Sequence, residues 1–596
     1  MKYSDLVVEW LEAEGYTHCF FVAGGNIMHL LDGVRRRLTC VPFVHEVAAG
    51  IAAEYFNEAS SGAKAFVLVT AGPGLTNLVT ALAGAYLESR ELLVLGGQVK
   101  REDLATGGVR QRGIQEIDGV TIAGPVTLRS VRVEQPIPKH ELLDHVRAGV
   151  SRRPGPVFLE LCLDAQGAVV DRADLEPEPV APNEPRATDG GDADAAAAII
   201  EALGRSSRPV LLIGGGVSRG AATALQRDLA AWGVPVMTTW NGADRLDTDH
   251  PAYFGRPNTW GQRSSNVLLQ QADLVIALGT RLGLQQTGFN WQQFAPLAIV
   301  AQVDIDEAEL TKGHPRVDLA FAVDADAVLA SLARSAPPEI HEWLEFCREV
   351  RRLLPLEDPG NVTGPGYLDP FHFFTELSAL CETDDVVIPC SSGGAFTVAM
   401  QAFLQKAGQL VVTDKGLASM GYGLAGAIGA ALATGRRTLL LEGDGGFTQN
   451  LQELATVAVN DLPLKIFLFS NEGYASIRMT QRNYFEGGYL GCDTKTGLGF
   501  PSWPELFGAY RIPILELDPD WSSSAGFREL FAADGPAGFV LPIDPEQTYY
   551  PKITSRVTAT GSMESNPLHI MSPDLAPDVA ETVFRYLRRD GRGESG

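Results

Sequence analysis

Leu439-Leu440-Leu441-Glu442-Gly443-Asp444-Gly445-Gly446-Phe447 reads as a buried strand that breaks into glycines around one aspartate. Such a break belongs at a strand's carboxyl end, where open α/β sheets bind ligands. Gly443, Gly445 and Gly446 would let the backbone approach a diphosphate, and the next helix N-terminus would offer free N–H groups. Asp444 would supply a hard oxygen for Mg²⁺. An ordinary tight turn has the same composition, so this stretch leaves both readings open. A second apolar run, 466–469, delivers Ser470-Asn471-Glu472-Gly473-Tyr474 to the same edge. There the Asn471 amide oxygen and the Gly473 carbonyl can complete an oxygen shell around one ion.

Working outward, apolar strand-like runs at 66–69, 92–95 and 157–161 alternate with helical stretches such as 76–88. That alternation is the signature of parallel sheets covered by helices. The pattern repeats, so the expected fold is α/β: three doubly wound parallel-sheet domains over 1–172, 190–335 and 366–548, and a C-terminal tail over 549–596. The stretches 176–194 and 355–366, rich in Pro and Gly, read as linkers. The tail carries too many aromatic residues and methionines to be simply solvated and is expected to pack on the body. A chain of 596 residues exceeds what one core can organise.

A formal charge of −25 argues against a nucleic-acid partner, because phosphate binding needs clustered Lys and Arg. The seven cysteines are scattered and never spaced C-x-x-C, which indicates neither a disulfide framework nor a zinc site. The first residues carry acidic side chains at helical spacing rather than a basic start and an apolar run, and no stretch is apolar enough to span a membrane. No membrane partner and a cytoplasmic location are expected.

With Ala23-Gly24-Gly25-Asn26, Val44-His45-Glu46, 71–77, Gly97-Gln98 and 115–118 in that order upstream, the chain resembles thiamine-diphosphate enzymes of the acetohydroxyacid synthase and pyruvate oxidase branch over residues 1 to about 550. The resemblance implies a pyrimidine-binding first domain, a central domain that can hold FAD, and a third domain that binds thiamine diphosphate and Mg²⁺. It casts Glu46 as the carboxylate that exchanges a proton with the aminopyrimidine. Gly24, Gly25 and Gln115 would line the space above the reactive carbon. Asn77, Ser391, Ser392, Met420, Gly443, Asp444, Gly445, Gly446, Asn471, Gly473 and Tyr474 would hold the cofactor, with Asp444, Asn471 and Gly473 on the metal. Gly214, Gly215, Gly216, Arg281, Asp304 and Asp306 match positions that contact FAD, which would be structural.

The implied reaction is decarboxylation of a 2-oxo acid, pyruvate foremost, and carboligation of the acetyl unit to a carbonyl acceptor, in a homodimer or homotetramer with sites at the subunit interface. Two departures bear on the acceptor. Met479-Thr480-Gln481 stands where the synthases have Gln-Trp-Gln, and 281–288 replaces their Arg-Phe-Asp-Asp-Arg. Together with a likeness of 476–485 and the tail to acetyl-transferring enzymes of branched-chain sugar synthesis, these point to a ketone or ketosugar. The alternative acceptor is a second pyruvate, making acetolactate. An alternative of another class is a non-catalytic cofactor-binding or regulatory subunit, against which the retention of Glu46, Asp444 and Asn471 speaks.

Overall fold

The computed structural model describes residues 1–176, 191–558 and 560–589, so the expected linker at 176–194 falls largely outside the described residues. Two compact units form. One gathers the N-terminal region with 384–396 and 412–542, and the other gathers the central region with 397–411 and the chain beyond 543.

The first unit opens with β1 (Tyr16–Phe21), β2 (Thr39–Pro42), β3 (Lys64–Val69), β4 (Leu92–Gln98), β5 (Arg129–Val133) and β6 (Pro156–Cys162). Their spatial order is β2-β1-β3-β4-β6-β5, and every pairing is parallel. Every residue of β4 and β6 is buried, as expected of strands covered on both faces. The chain leaves β1 toward β2 and later returns on β1's other side as β3. A crevice therefore opens at the carboxyl ends of β1 and β3.

The second unit holds β7 (Pro209–Ile213), β8 (Val236–Thr238), β9 (Leu274–Leu278), β10 (Ile299–Val303) and β11 (Leu319–Phe321), parallel in the order β11-β10-β9-β7-β8. Its core does not stop at the expected boundary of 335. The helix His341–Leu353 buries Trp343, Phe346, Cys347 and Val350 against it, and the tail contributes Leu568 and Val583. Arg263 Nη1 donates to the Met571 carbonyl at 3.0 Å while Nη2 pairs with Asp358 at 2.9 Å. The tail's apolar content is thereby accounted for: it is packed, not solvated.

The third sheet belongs mainly to the first unit. There β12 (Val386–Ile388), β14 (Thr438–Gly443), β15 (Leu464–Ser470), β17 (Ala537–Pro542) and β16 (Ile514–Glu516) run parallel in that spatial order. Its two-residue strand β13 (Leu410–Val411) falls between β12 and β14 in the chain. The chain is thus three parallel-sheet α/β domains.

Within the first unit, helices α1 (Glu46–Ala59), α2 (Pro73–Glu88), α3 (Tyr422–Thr434) and α4 (Ala475–Tyr484) carry the site. Alanine and glycine dominate α1 and α3, and the two helices pack closely. A Cβ on Gly429 would stand 2.0 Å from the Ala52 carbonyl, and one on Gly426 would stand 2.6 Å from the Tyr55 ring. Because Ala52 faces Gly429 and Tyr55 faces Gly426, the helices run antiparallel.

Candidate active site

One half of the site gathers on the carboxyl edge of the first sheet. After β1, Gly24 approaches Thr70 so closely that a Cβ would lie 2.4 Å from Thr70 Cβ, whereas Gly25 faces open space. After β2, His45 Nδ1 accepts the Val47 N–H at 3.3 Å and caps α1. Glu46 is left in the first turn, 8% exposed, where the positive end of the helix favours a carboxylate. Asn77, in the second turn of α2, donates from Nδ2 to Glu46 Oε2 at 3.0 Å. The turn into α2 uses Gly72 at φ 66°, where a Cβ would meet the Gln115 carbonyl at 2.3 Å. Gln115, itself at φ 62°, keeps an exposed side chain on this edge.

The other half gathers on the third sheet. Asp444, 1% exposed, accepts the Gly445 N–H at 2.7 Å on Oδ1 and the Asn471 N–H at 2.9 Å on Oδ2. Two of the three residues expected on the metal are thus joined directly. Burial lifts the Asp444 carboxyl to about 7, against the pull of the Asn471, Gly445, Glu472 and Gly473 N–H groups. Of the three glycines here, only Gly443 faces open space. A Cβ on Gly445 would strike the Tyr474 ring at 2.3 Å, and one on Gly446 would meet the Glu442 carboxyl at 2.9 Å. Gly445 and Gly446 thus make room for protein neighbours. Gly473 likewise admits the Cys492 carbonyl, 2.1 Å from where a Cβ would sit. After β12, Ser391 donates to the Ser419 carbonyl and Ser392 follows, half-buried. Ser419 leads to Met420, 39% exposed between Ala418 at φ 54° and Gly421 at φ 85°. On α4, Met479 is half-buried and Thr480 is exposed, its hydroxyl donating to the Ser476 carbonyl at 2.9 Å.

Four further residues shape these halves without a local sequence signal. Glu442 accepts the N–H groups of Leu424 and Gly423 at the start of α3, and burial raises its carboxyl to about 8. Asn450 Nδ2 donates to the Gly421 carbonyl at 2.7 Å. Glu453 Oε1 accepts the His45 N–H at 3.0 Å and so fixes the start of α1. Arg478 Nη2 donates to the Asn471 carbonyl at 3.0 Å.

Helix α2 is engaged at both ends. Asn77 grips Glu46 near its start, while Glu88 Oε1 accepts the Lys415 N–H at 2.7 Å at its end, and Leu87 lies against Gly416. Ten residues of helix, roughly 15 Å, separate Asn77 from Leu87. The antiparallel run of α1 and α3 repeats the relation, since Glu46 begins one helix and Met420 directly precedes the other.

In the second sheet, Gly214 and Gly216 let the end of β7 interlock with Gly279 after β9, at would-be Cβ distances of 2.2 and 2.8 Å. The Gly215 carbonyl accepts from Arg245 at 3.2 Å. Asp304 Oδ1 accepts the Asp306 N–H at 3.0 Å, and Asp306 caps the helix Glu307–Thr311. The close packing of these glycines and the hydrogen bonds of these aspartates are accounted for by protein. Arg281, half-buried, follows β9 on the same edge.

Glycine-lined carboxyl edges thus form on two sheets, one with a buried carboxylate at a helix start and the other with an Asp–Asn junction. Residues 1–122 match the thiamine pyrophosphate enzyme N-terminal TPP binding domain, 196–332 the central domain and 392–540 the C-terminal TPP binding domain. Acetolactate synthase isozyme 1 large subunit of Escherichia coli is 32% identical over 564 residues, covering 92% of this chain and 95% of that one. The probable acetolactate synthase large subunit of Methanocaldococcus jannaschii is 32% identical over 569 residues, covering 92% and 93%. The chain belongs to the acetolactate synthase family of thiamine-diphosphate-dependent enzymes.

Proposed function

We propose that this enzyme decarboxylates pyruvate and joins the acetyl unit to a second pyruvate, forming acetolactate. The relatives named above favour this acceptor over the ketosugar expected from the sequence. The observation that carries the reading is the pairing of Glu46 with Asn77 on one sheet edge, matched by the Asp444–Asn471 junction on another.

Bound thiamine diphosphate supplies the electron sink that lets a 2-oxo acid lose CO₂. The oxygen set of Asp444, Asn471 and the Gly473 carbonyl suits Mg²⁺, which takes few protein ligands beside phosphate oxygens. Gly443 would leave space for the diphosphate, which Ser391, Ser392 and Tyr474 would hold, and Met420 would support the cofactor from its turn. Glu46, oriented by the Asn77 amide, would hold or release a proton at the aminopyrimidine. Gln115, with Gly24 and Gly25 beside it, donates to the oxyanion that forms on the substrate. Met479 and Thr480 face the acceptor. The short Thr480 side chain favours a second reading, a bulkier ketone as acceptor, because it leaves more room than an indole would.

Since Glu46 and Met420 serve one cofactor yet sit toward opposite ends of α2, the complete site draws on a second copy of the chain, and the enzyme is a homodimer or a tetramer built from it. A flavin is not required by this chemistry, which has no net redox change. The visible absorption of the purified protein decides whether Arg281, Asp304 and Asp306 hold one. The test of the main reading is incubation of purified protein with thiamine diphosphate, Mg²⁺ and pyruvate. Acetolactate with CO₂ is expected, and no CO₂ from any of a panel of 2-oxo acids would refute it.

A further inference from the structure

Arg478 is an arginine on α4 with only 5% of its surface exposed. Its Nη2 donates to the Asn471 carbonyl at 3.0 Å and stands 3.4 Å from Asn471 Oδ1. Its Nη1 lies 4.0 Å from Asp493 Oδ2, beyond hydrogen-bonding reach, and its Nε has no acceptor among the described residues. Asp493 is already committed, with Oδ1 accepting the Thr496 N–H at 2.9 Å and hydroxyl at 2.8 Å. A guanidinium is always charged, and burying one costs free energy unless its donors find acceptors. The Asn471 oxygens and, at 4.0 Å, the Asp493 carboxylate answer part of that need, and Nε is left without an acceptor among the described residues.

The position supplies the rest of the case. Arg478 reaches the residue that stands beside Asp444 in the cradle. A diphosphate ester carries more negative charge than one divalent cation offsets once Asp444 is ionised, so a cradle of these ligands alone would remain net negative. A planar fork of donors is the group best suited to phosphoryl oxygens.

We propose that Arg478 is an anion-binding residue of the cradle, whose guanidinium pairs with the diphosphate oxygens of the cofactor and offsets the charge that the metal leaves. The proposal rests on the thiamine-diphosphate reading above and adds a residue to it.

The test is calorimetric titration of the full-length protein with Mg²⁺ plus inorganic diphosphate and with Mg²⁺ plus thiamine diphosphate, alongside Arg478→Met and Arg478→Lys. Arg478→Met should weaken both ligands by about 10- to 100-fold, while Arg478→Lys, which keeps the charge, stays within about tenfold of wild type. The salt dependence of affinity should flatten in the Met variant. Undiminished binding by Arg478→Met, or equal losses in the Met and Lys variants, would overturn the proposal, the latter by revealing a packing role. A wild type that binds neither ligand would instead sink the cofactor reading. Circular dichroism checks folding, and Arg478→Gln takes the place of the Met variant if that one does not fold.

Discussion

Glu46 Oε2 and Asn77 Nδ2 meet at 3.0 Å, which ties the first turn of α1 to the second turn of α2 and leaves the carboxylate with a defined direction. The buried start of a helix holds this acid in place, and a neutral amide orients it without neutralising it. Glu46→Gln keeps the shape and removes the exchangeable proton. Its CO₂ release from pyruvate should fall by at least ~100-fold, as loss of a general acid–base does. A steady-state assay at saturating thiamine diphosphate measures it, and near-wild-type turnover would refute the assigned role.

The opposed placement of the half-sites on α2 makes a sharper prediction. Glu46→Gln and Asp444→Asn chains should each be inactive alone. Unfolded together and refolded as a mixture, they should recover about a quarter of wild-type activity, because half the dimers are mixed and each mixed dimer holds one intact site. Sites built within single chains would recover nothing.

Gly429 tests the contact of α1 with α3. Gly429→Ala places a methyl group 2.0 Å from the Ala52 carbonyl, a backbone atom that cannot swing aside. Overpacking of about 1–3 kcal/mol should outweigh the ~1 kcal/mol gain in helix propensity, so the melting temperature should drop. A rise on calorimetry would mean that the helices separate freely.

In the second unit, His569 packs against Phe584 and accepts from Gln270 Nε2 through Nδ1 at 3.3 Å, which requires the neutral ring. Burial lowers its pKa from 6.5 to about 4. Between those values the unfolded chain binds the proton and the folded chain does not. The contribution is therefore complete above pH 6.5 and lost as pH falls toward 4, amounting to about 3 kcal/mol at most. Unfolding of the second unit followed across this range should steepen at the acid end, and His569→Phe should flatten that slope.

Much of this could be read from the chain. Strand-to-glycine transitions such as 439–447 and 466–473 announce a sheet edge, and Glu46 two residues after Val44 falls at a helix start. What the chain does not announce shares one cause. Gly445 makes room for Tyr474, and Gly214 and Gly216 for Gly279, neighbours that no local pattern names. Glu453 caps α1 from 408 residues away, and the helix His341–Leu353 joins a core whose far wall comes from the tail. Periodicity predicts that such a helix hides a face without saying against what.

The turn that carries Met420 has one more consequence. Ala418 and Gly421 both hold left-handed backbone, the Ala418 N–H donates to Asp414 Oδ1, and the Ser419 and Gly421 carbonyls accept from Ser391 and Asn450. The methionine is therefore cast in its pose by folding itself. If the proposed cofactor docks there, it meets a backbone already fixed by folding, and little further ordering of this turn is needed on binding.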